Sequence, residues 1–249
     1  MIPEFLFDRE EERQSLRQRL GRKQSFLLYG PSGVGKSLLL KRALPDVPQA
    51  LYSPESASAQ AVFHNLATVL LTQRDPRLVR SVGRLGVEGL KVKSAVSLKG
   101  VVMDALHEGQ YYVVLDHLKL PSYSFAAAVR EIMGWGKTPV VTVARSAHME
   151  DIGFLKPFYA DRSERLELRN FPPLLAEQFA EEAALRVGLS ARNMSEFLER
   201  VLEFSDGNPG AILSMLEMAK DPKYHSAGHI KITPLYIDFR MNWKPAGVR

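Results

Sequence analysis

Residues 30 to 37 read Gly-Pro-Ser-Gly-Val-Gly-Lys-Ser: three glycines, a lysine and a hydroxyl at a spacing suited to gripping a chain of phosphates. Gly30, Gly33 and Gly35 allow backbone conformations closed to residues with a Cβ, so successive amide N–H groups can converge on phosphate oxygens. Lys36 reaches the outer phosphates, and Ser37 offers a hydroxyl to Mg²⁺. A helix opening there points its positive dipole end at the anion. The binding set read from this pattern is Gly30, Pro31, Ser32, Gly33, Val34, Gly35, Lys36, Ser37 and Leu38. Mg²⁺ keeps several waters and takes few protein ligands, commonly a carboxylate at the end of a neighbouring buried strand. Asp116 has that place after Tyr111-Tyr-Val-Val-Leu115, although an Asp there is also an ordinary helix cap. His117 follows where many enzymes of this layout carry a second acid that prepares the attacking water. Neutral imidazole can accept a proton near pH 7; the alternative is that the change marks slow or absent hydrolysis.

These residues need a rigid frame. Ser25 to Tyr29 reads as a buried strand leading into the loop, and Lys36 to Leu44 as the helix leading out. Val47 to Ser53, Tyr111 to Leu115, Pro139 to Ala144 and Arg165 to Leu168 are further apolar, β-rich runs, separated by helical patterns at 56–71, 98–107 and 124–135. A first helix, capped by Asp8, runs from Glu10 to Leu20. The fold class is therefore α/β: a doubly wound, mostly parallel five-stranded sheet with its ligand at the strands' carboxyl ends. Past Asn170-Phe-Pro-Pro173 only helical patterns remain, at 174–187, 194–204 and 211–219, which predicts a small all-helical domain. The expected division is residues 1–170, 171–222 and a tail at 223–249. Pro234 argues against a central strand, so the tail segment from Ile230 to Phe239 reads as a short extended piece.

The chain has 249 residues, 45% of them hydrophobic, enough for a sizeable core. It holds no cysteine, which excludes disulfides, thiolate catalysis and Cys-ligated zinc and fits a cytoplasmic setting. The N-terminus turns acidic at once, unlike a signal peptide, and no run approaches the roughly eighteen apolar residues of a membrane span. The net charge of +5 is unevenly spread. Arg74, Arg77, Arg80, Arg84, Lys91, Lys93 and Lys99 face only Asp75 and Glu88, in a stretch that also holds Gly83, Gly86 and Gly89. Two readings stay open: an exposed, solvated loop, or a contact surface for DNA or an acidic protein partner.

The motifs, taken in order, resemble the AAA+/STAND class of P-loop ATPases over about Phe5 to Ala219. Gly30 to Ser37 matches Walker A. Val113-Val-Leu-Asp116 matches Walker B without its second acid, and Val140-Val-Thr-Val-Ala-Arg145 is similar to the sensor-1 strand. Phe5-Leu-Phe-Asp-Arg-Glu-Glu-Glu12 resembles the N-terminal segment that lines the adenine pocket, so the resemblance implies that Phe5 or Phe7 contacts the base. Gly207-Asn-Pro-Gly-Ala-Ile212 looks like the lid's Gly-x-Pro motif, with Pro209 near adenine; its plainer reading is a helix start with Pro in the first turn. Arg145 would read the γ-phosphate. Arg162, or equally Arg165, stands where some relatives carry an arginine finger, and a surface arginine is the other reading. The resemblance implies ATP or ADP with Mg²⁺ as ligands and a catalytic set of Lys36, Asp116, His117, Arg145 and Arg162. It further implies metal ligation by Ser37 and Asp116, lid closure, and possible self-association into a homo-oligomer. His117 makes the implied hydrolysis slow or partner-stimulated. A non-hydrolysing ATP-binding interaction or signalling protein is the alternative.

Overall fold

The structure, a computed structural model, describes residues 9–47, 49–54, 58–118, 120–134 and 137–243. They form two compact units, one of residues 10–29 and 39–167, the other of Arg9 with residues 30–38 and 168–243.

In chain order the first elements are α1 (Glu10–Gly21), β1 (Phe26–Tyr29), α2 (Lys36–Ala43), β2 (Ala50–Ser53), α3 (Ala59–Thr72), α4 (Pro76–Val82), α5 (Gly86–Lys91), α6 (Ala95–Glu108), β3 (Tyr112–Leu115), α7 (Tyr123–Gly134), β4 (Val140–Ala144), α8 (Met149–Ile152) and β5 (Arg165–Glu167). The five strands make one parallel sheet in the order β2-β3-β4-β1-β5. Strands β3 and β4 are buried along their whole length, as a parallel sheet covered on both faces requires. Tyr29 pairs with Ala144 and Leu115 with Thr142, so the chain leaves β1, β3 and β4 at the same carboxyl edge. Val62, Leu66 and Leu70 of α3 join Val102 and Leu106 of α6 in the core on this sheet.

The basic stretch read as a possible loop is helical. Asp75 caps α4 by accepting the N–H groups of Arg77 and Leu78 at 2.9 and 3.3 Å, and Pro76 sits at the first helical position. Leu78, Val82 and Leu90 are buried in the core. Its glycines punctuate short helices: Gly83 and Gly86 adopt φ of +57° and +54° at the ends of helical segments.

The second unit carries α9 (Pro173–Val187), α10 (Met194–Ser205), α11 (Pro209–Met218), a two-stranded ladder of β6 (His225–Ser226) and β7 (His229–Ile230), and α12 (Ile232–Asn242). Phe179, Phe197, Ile212, Leu216, Tyr224, Leu235 and Phe239 share one core. The segment expected to be extended is thus mostly helix α12. Pro234 lies in its first turn, where a missing N–H leaves no helical bond unmade. No described helix is long and apolar enough to cross a membrane.

Burial raises the pKa of Tyr111, Tyr112, Tyr159 and Tyr224, with Asp75 adding to the shift at Tyr111. A folded state that holds phenolic protons more tightly than the unfolded chain keeps that stability below the unfolded pKa, near 10, and loses it as pH rises further. The thermal midpoint is therefore expected to fall above about pH 10, with these four tyrosines ionising as the protein unfolds. A single tyrosinate titration step near the ordinary value with an unchanged midpoint would contradict this.

Candidate nucleotide site

The phosphate loop lies between Tyr29 and the first turn of α2, and its glycines take the unusual conformations the motif calls for. Gly30 has φ +154°, and a Cβ there would stand 2.0 Å from the Leu168 carbonyl oxygen. Gly33 has φ +82°, and its Cβ would meet the Asn208 side-chain oxygen at 2.6 Å. Lys36 Nζ donates to the carbonyls of Gly30 and Pro31 at 2.6 and 2.9 Å, and the Val34 N–H approaches the Pro31 carbonyl at 3.3 Å. The donor set fits a phosphate chain: a lysine ammonium, the Ser37 hydroxyl in the first turn of α2, and Gly35 at φ +102° with open space where a Cβ would point.

The Pro209 region lies against this loop. Asn208 donates from Nδ2 to the Ser32 carbonyl at 2.9 Å and to Asn170 Oδ1 at 3.0 Å, and the Gly210 N–H donates to the Gly33 carbonyl at 3.0 Å. Asn208 also caps α11, accepting from the Ala211 N–H at 3.1 Å. Pro209 is buried at the first position of that helix. Phe5 and Phe7, expected at the base, lie outside the described residues. Arg9 of the same segment donates to the Arg169 carbonyl at 2.6 Å, its guanidinium 4.4 Å from the Phe171 ring centroid.

In the sheet unit, Asp116 extends the β2–β3 ladder through its N–H to the Ser53 carbonyl at 3.0 Å, and its side chain is fully buried. Tyr52 donates its hydroxyl to Asp116 Oδ2 at 2.6 Å, and the His117 N–H donates to Oδ1 at 2.7 Å. Both carboxylate oxygens are thereby oriented. Oxygen donors of this kind suit a hard cation such as Mg²⁺. Tyr52 was not singled out in the sequence, where it reads as an ordinary strand residue; only the pairing of β2 beside β3 brings it to Asp116. His117 sits at φ +54°, a left-handed conformation that Asn, Asp and His tolerate better than most side chains. Its Nε2 is 3.8 Å from Asp116 Oδ2.

The arginines divide. Arg145, at the carboxyl end of β4, bonds to Asp151 Oδ1 through Nε at 3.0 Å and Nη2 at 2.9 Å, while Ser146 Oγ donates to the other Asp151 oxygen at 2.7 Å. Asp151 lies in α8 and gave no signal in the sequence. Arg165 donates to the carbonyls of Tyr159 and Ala160 at 2.6 and 3.3 Å, which commits it to its own turn. Arg162 is exposed, and its guanidinium meets no partner among the described residues.

On the basic segment, Arg77 is paired with Asp75 and Glu108, Lys91 with Glu88, and Lys99 with Glu131. Arg74, Arg80 and Lys93 carry no ion pair among the described residues, and the Arg84 side chain lies outside them. Val79, Leu85, Val87, Val92 and Val96 are exposed along the same stretch.

Sheet order, phosphate loop and appended helices together define the fold of AAA+ P-loop ATPases. Among solved structures, the Orc1 protein of Aeropyrum pernix in complex with DNA matches with a TM-score of 0.64 at 14% identity, over 96% of this chain and 66% of that one. A Walker-type ATPase of Pyrococcus abyssi matches at 0.57 and 19% identity, over 86% of this chain and 68% of that one. A STAND protein with a tetratricopeptide repeat sensor from Pyrococcus horikoshii matches at 0.52 and 12% identity, over 98% of this chain and 34% of that one. The chain thus spans about two thirds of the first two and a third of the last. No protein-family model matches the sequence, and no curated protein matches it either.

Proposed function

We propose that the chain binds ATP with Mg²⁺ and works in the cytoplasm as an AAA+/STAND-type ATPase module with slow or partner-stimulated turnover. The observation that carries this reading is the phosphate loop, with its positive-φ glycines and Lys36 at the head of α2, in a fold shared with such ATPases. In this reading Lys36 and the loop amides bind the phosphates, and Ser37 and Asp116 hold Mg²⁺, with Tyr52 fixing the carboxylate. The metal would neutralise charge on the phosphates. His117 occupies the place where the attacking water is prepared and keeps turnover slow, and Arg145 turns to the γ-phosphate by giving up Asp151. Pro209 contacts the base as the helices close. The exposed valines and leucine of the basic segment, beside paired cations, favour an acidic protein partner there over a DNA backbone.

The replacement of an acid by His117 favours a second reading, ATP binding without hydrolysis. Turnover of purified protein with and without Mg²⁺ and DNA, against Lys36→Ala as the blank, separates the two. We expect slow, Mg²⁺-dependent turnover that DNA leaves unchanged, and a rise of about a hundredfold or more in His117→Asp, the usual range for a well-placed base. Turnover no higher than the blank in every condition removes the ATPase reading. Loss of turnover in His117→Asp makes the imidazole itself the base.

A further inference from the structure

The four carbonyls of Gly30, Pro31, Ser32 and Gly33 border a loop that must welcome an anion, and each has a partner. Lys36 takes the first two; the start of α11 takes the other two, through Asn208 Nδ2 at 2.9 Å and the Gly210 N–H at 3.0 Å. In a trans peptide the C=O and N–H point in opposite directions. Turning the Ser32 and Gly33 carbonyls toward α11 therefore turns the N–H groups of Gly33 and Val34 the other way. The Val34 N–H donates to the Pro31 carbonyl across the loop at 3.3 Å, and the Gly33 N–H is the amide turned toward the anion.

Asn208 does more than a helix cap requires. A cap needs an acceptor, which Ser supplies about as well. The Asn208 amide group adds two donors, and both are used, on Ser32 and on Asn170, in a residue only 8% exposed. Gly210 allows the approach: a Cβ there would stand 2.8 Å from both Cα and O of Gly33. We propose that Asn208, with Gly210, is a positioning residue for phosphate binding, holding two loop carbonyls away so that the Gly33 amide is presented to the anion.

The proposal rests on the nucleotide-binding reading, and its test uses ATP and inorganic tripolyphosphate, which lacks a base. Asn208→Ser keeps the cap and loses both donors; Gly210→Ala keeps the cap and pushes α11 off the loop. Both variants are expected to bind the two ligands about tenfold more weakly, by the same factor for each, as expected for losing a bond that orients donors to a charged group. Asn208→Ser should keep nearly the parental thermal midpoint. A purely structural role would instead lower the midpoint and leave the affinity of the folded protein unchanged. Should Asn208→Ser fail to fold, Gly210→Ala decides. Affinities within twofold of the parent, or weakening toward ATP alone, overturn the proposal while leaving nucleotide binding intact. A parent that binds neither ligand removes both. Trp243 gives a second readout, since its Cζ2 lies 3.3 Å from where a Cβ on Gly33 would be: in a Trp135→Phe background, tripolyphosphate should shift its emission in the parent at lower concentration than in Asn208→Ser.

Discussion

Lys36→Ala is expected to lower the affinity for ATP by about a hundredfold or more, the combined effect, in the proposed reading, of losing charge-assisted bonds to at least two phosphates. The loss has a second source. The ammonium holds the Gly30 and Pro31 carbonyls at 2.6 and 2.9 Å, and without it those oxygens border an anion site with no cation to offset them. Lys36→Met, which keeps the aliphatic stem, should therefore bind as poorly as the alanine variant. Calorimetric titration with ATP checks both. Retention of affinity within threefold in Lys36→Ala would mean that the loop does not grip phosphates.

Asp116→Ala is expected to damage stability and Mg²⁺ dependence together. It removes a fully buried carboxylate that accepts from the Tyr52 hydroxyl and the His117 N–H, and each hydrogen bond to a charged group lost costs about 1.5–3 kcal/mol. Asp116→Asn keeps an acceptor and the volume but not the charge, so it should spare more of the thermal midpoint while losing the Mg²⁺ effect on ATP binding. Because Tyr52→Phe already removes one donor, Asp116→Ala should cost less in that background, and the pair should couple in a double-mutant cycle. A parental midpoint and undiminished Mg²⁺ dependence in Asp116→Ala would refute both roles.

The sheet and the phosphate loop were legible because each rests on local chemistry. Buried parallel strands read as continuous apolar runs such as Val140 to Ala144, and the loop's glycines have no substitutes at their φ angles. What escaped depends on through-space pairing or on signals that compete. Tyr52 meets Asp116 only after β2 and β3 align, and Asp151 takes Arg145 only once α8 folds beside β4. In the basic stretch, three glycines suggested a loop, yet Asp75-Pro76 and the buried Leu78, Val82 and Leu90 settle it as helix. Pro234 misled in the opposite way: it argues against a strand but is at ease in the first turn of α12. Asn208 was visible as part of a lid motif, whereas its hold on Ser32 spans 176 residues of sequence.

His117 carries a consequence for how such a chain can change. Its left-handed φ of +54° disfavours a long side chain such as Glu and accommodates Asp, which visits that conformation readily. A single base substitution converts either histidine codon to aspartate, while glutamate lies one mutation further. If the chain turns over ATP as proposed and imidazole slows it, the backbone and the genetic code agree on aspartate as the shortest route to a faster descendant, and a library drawn at this one codon should recover it first.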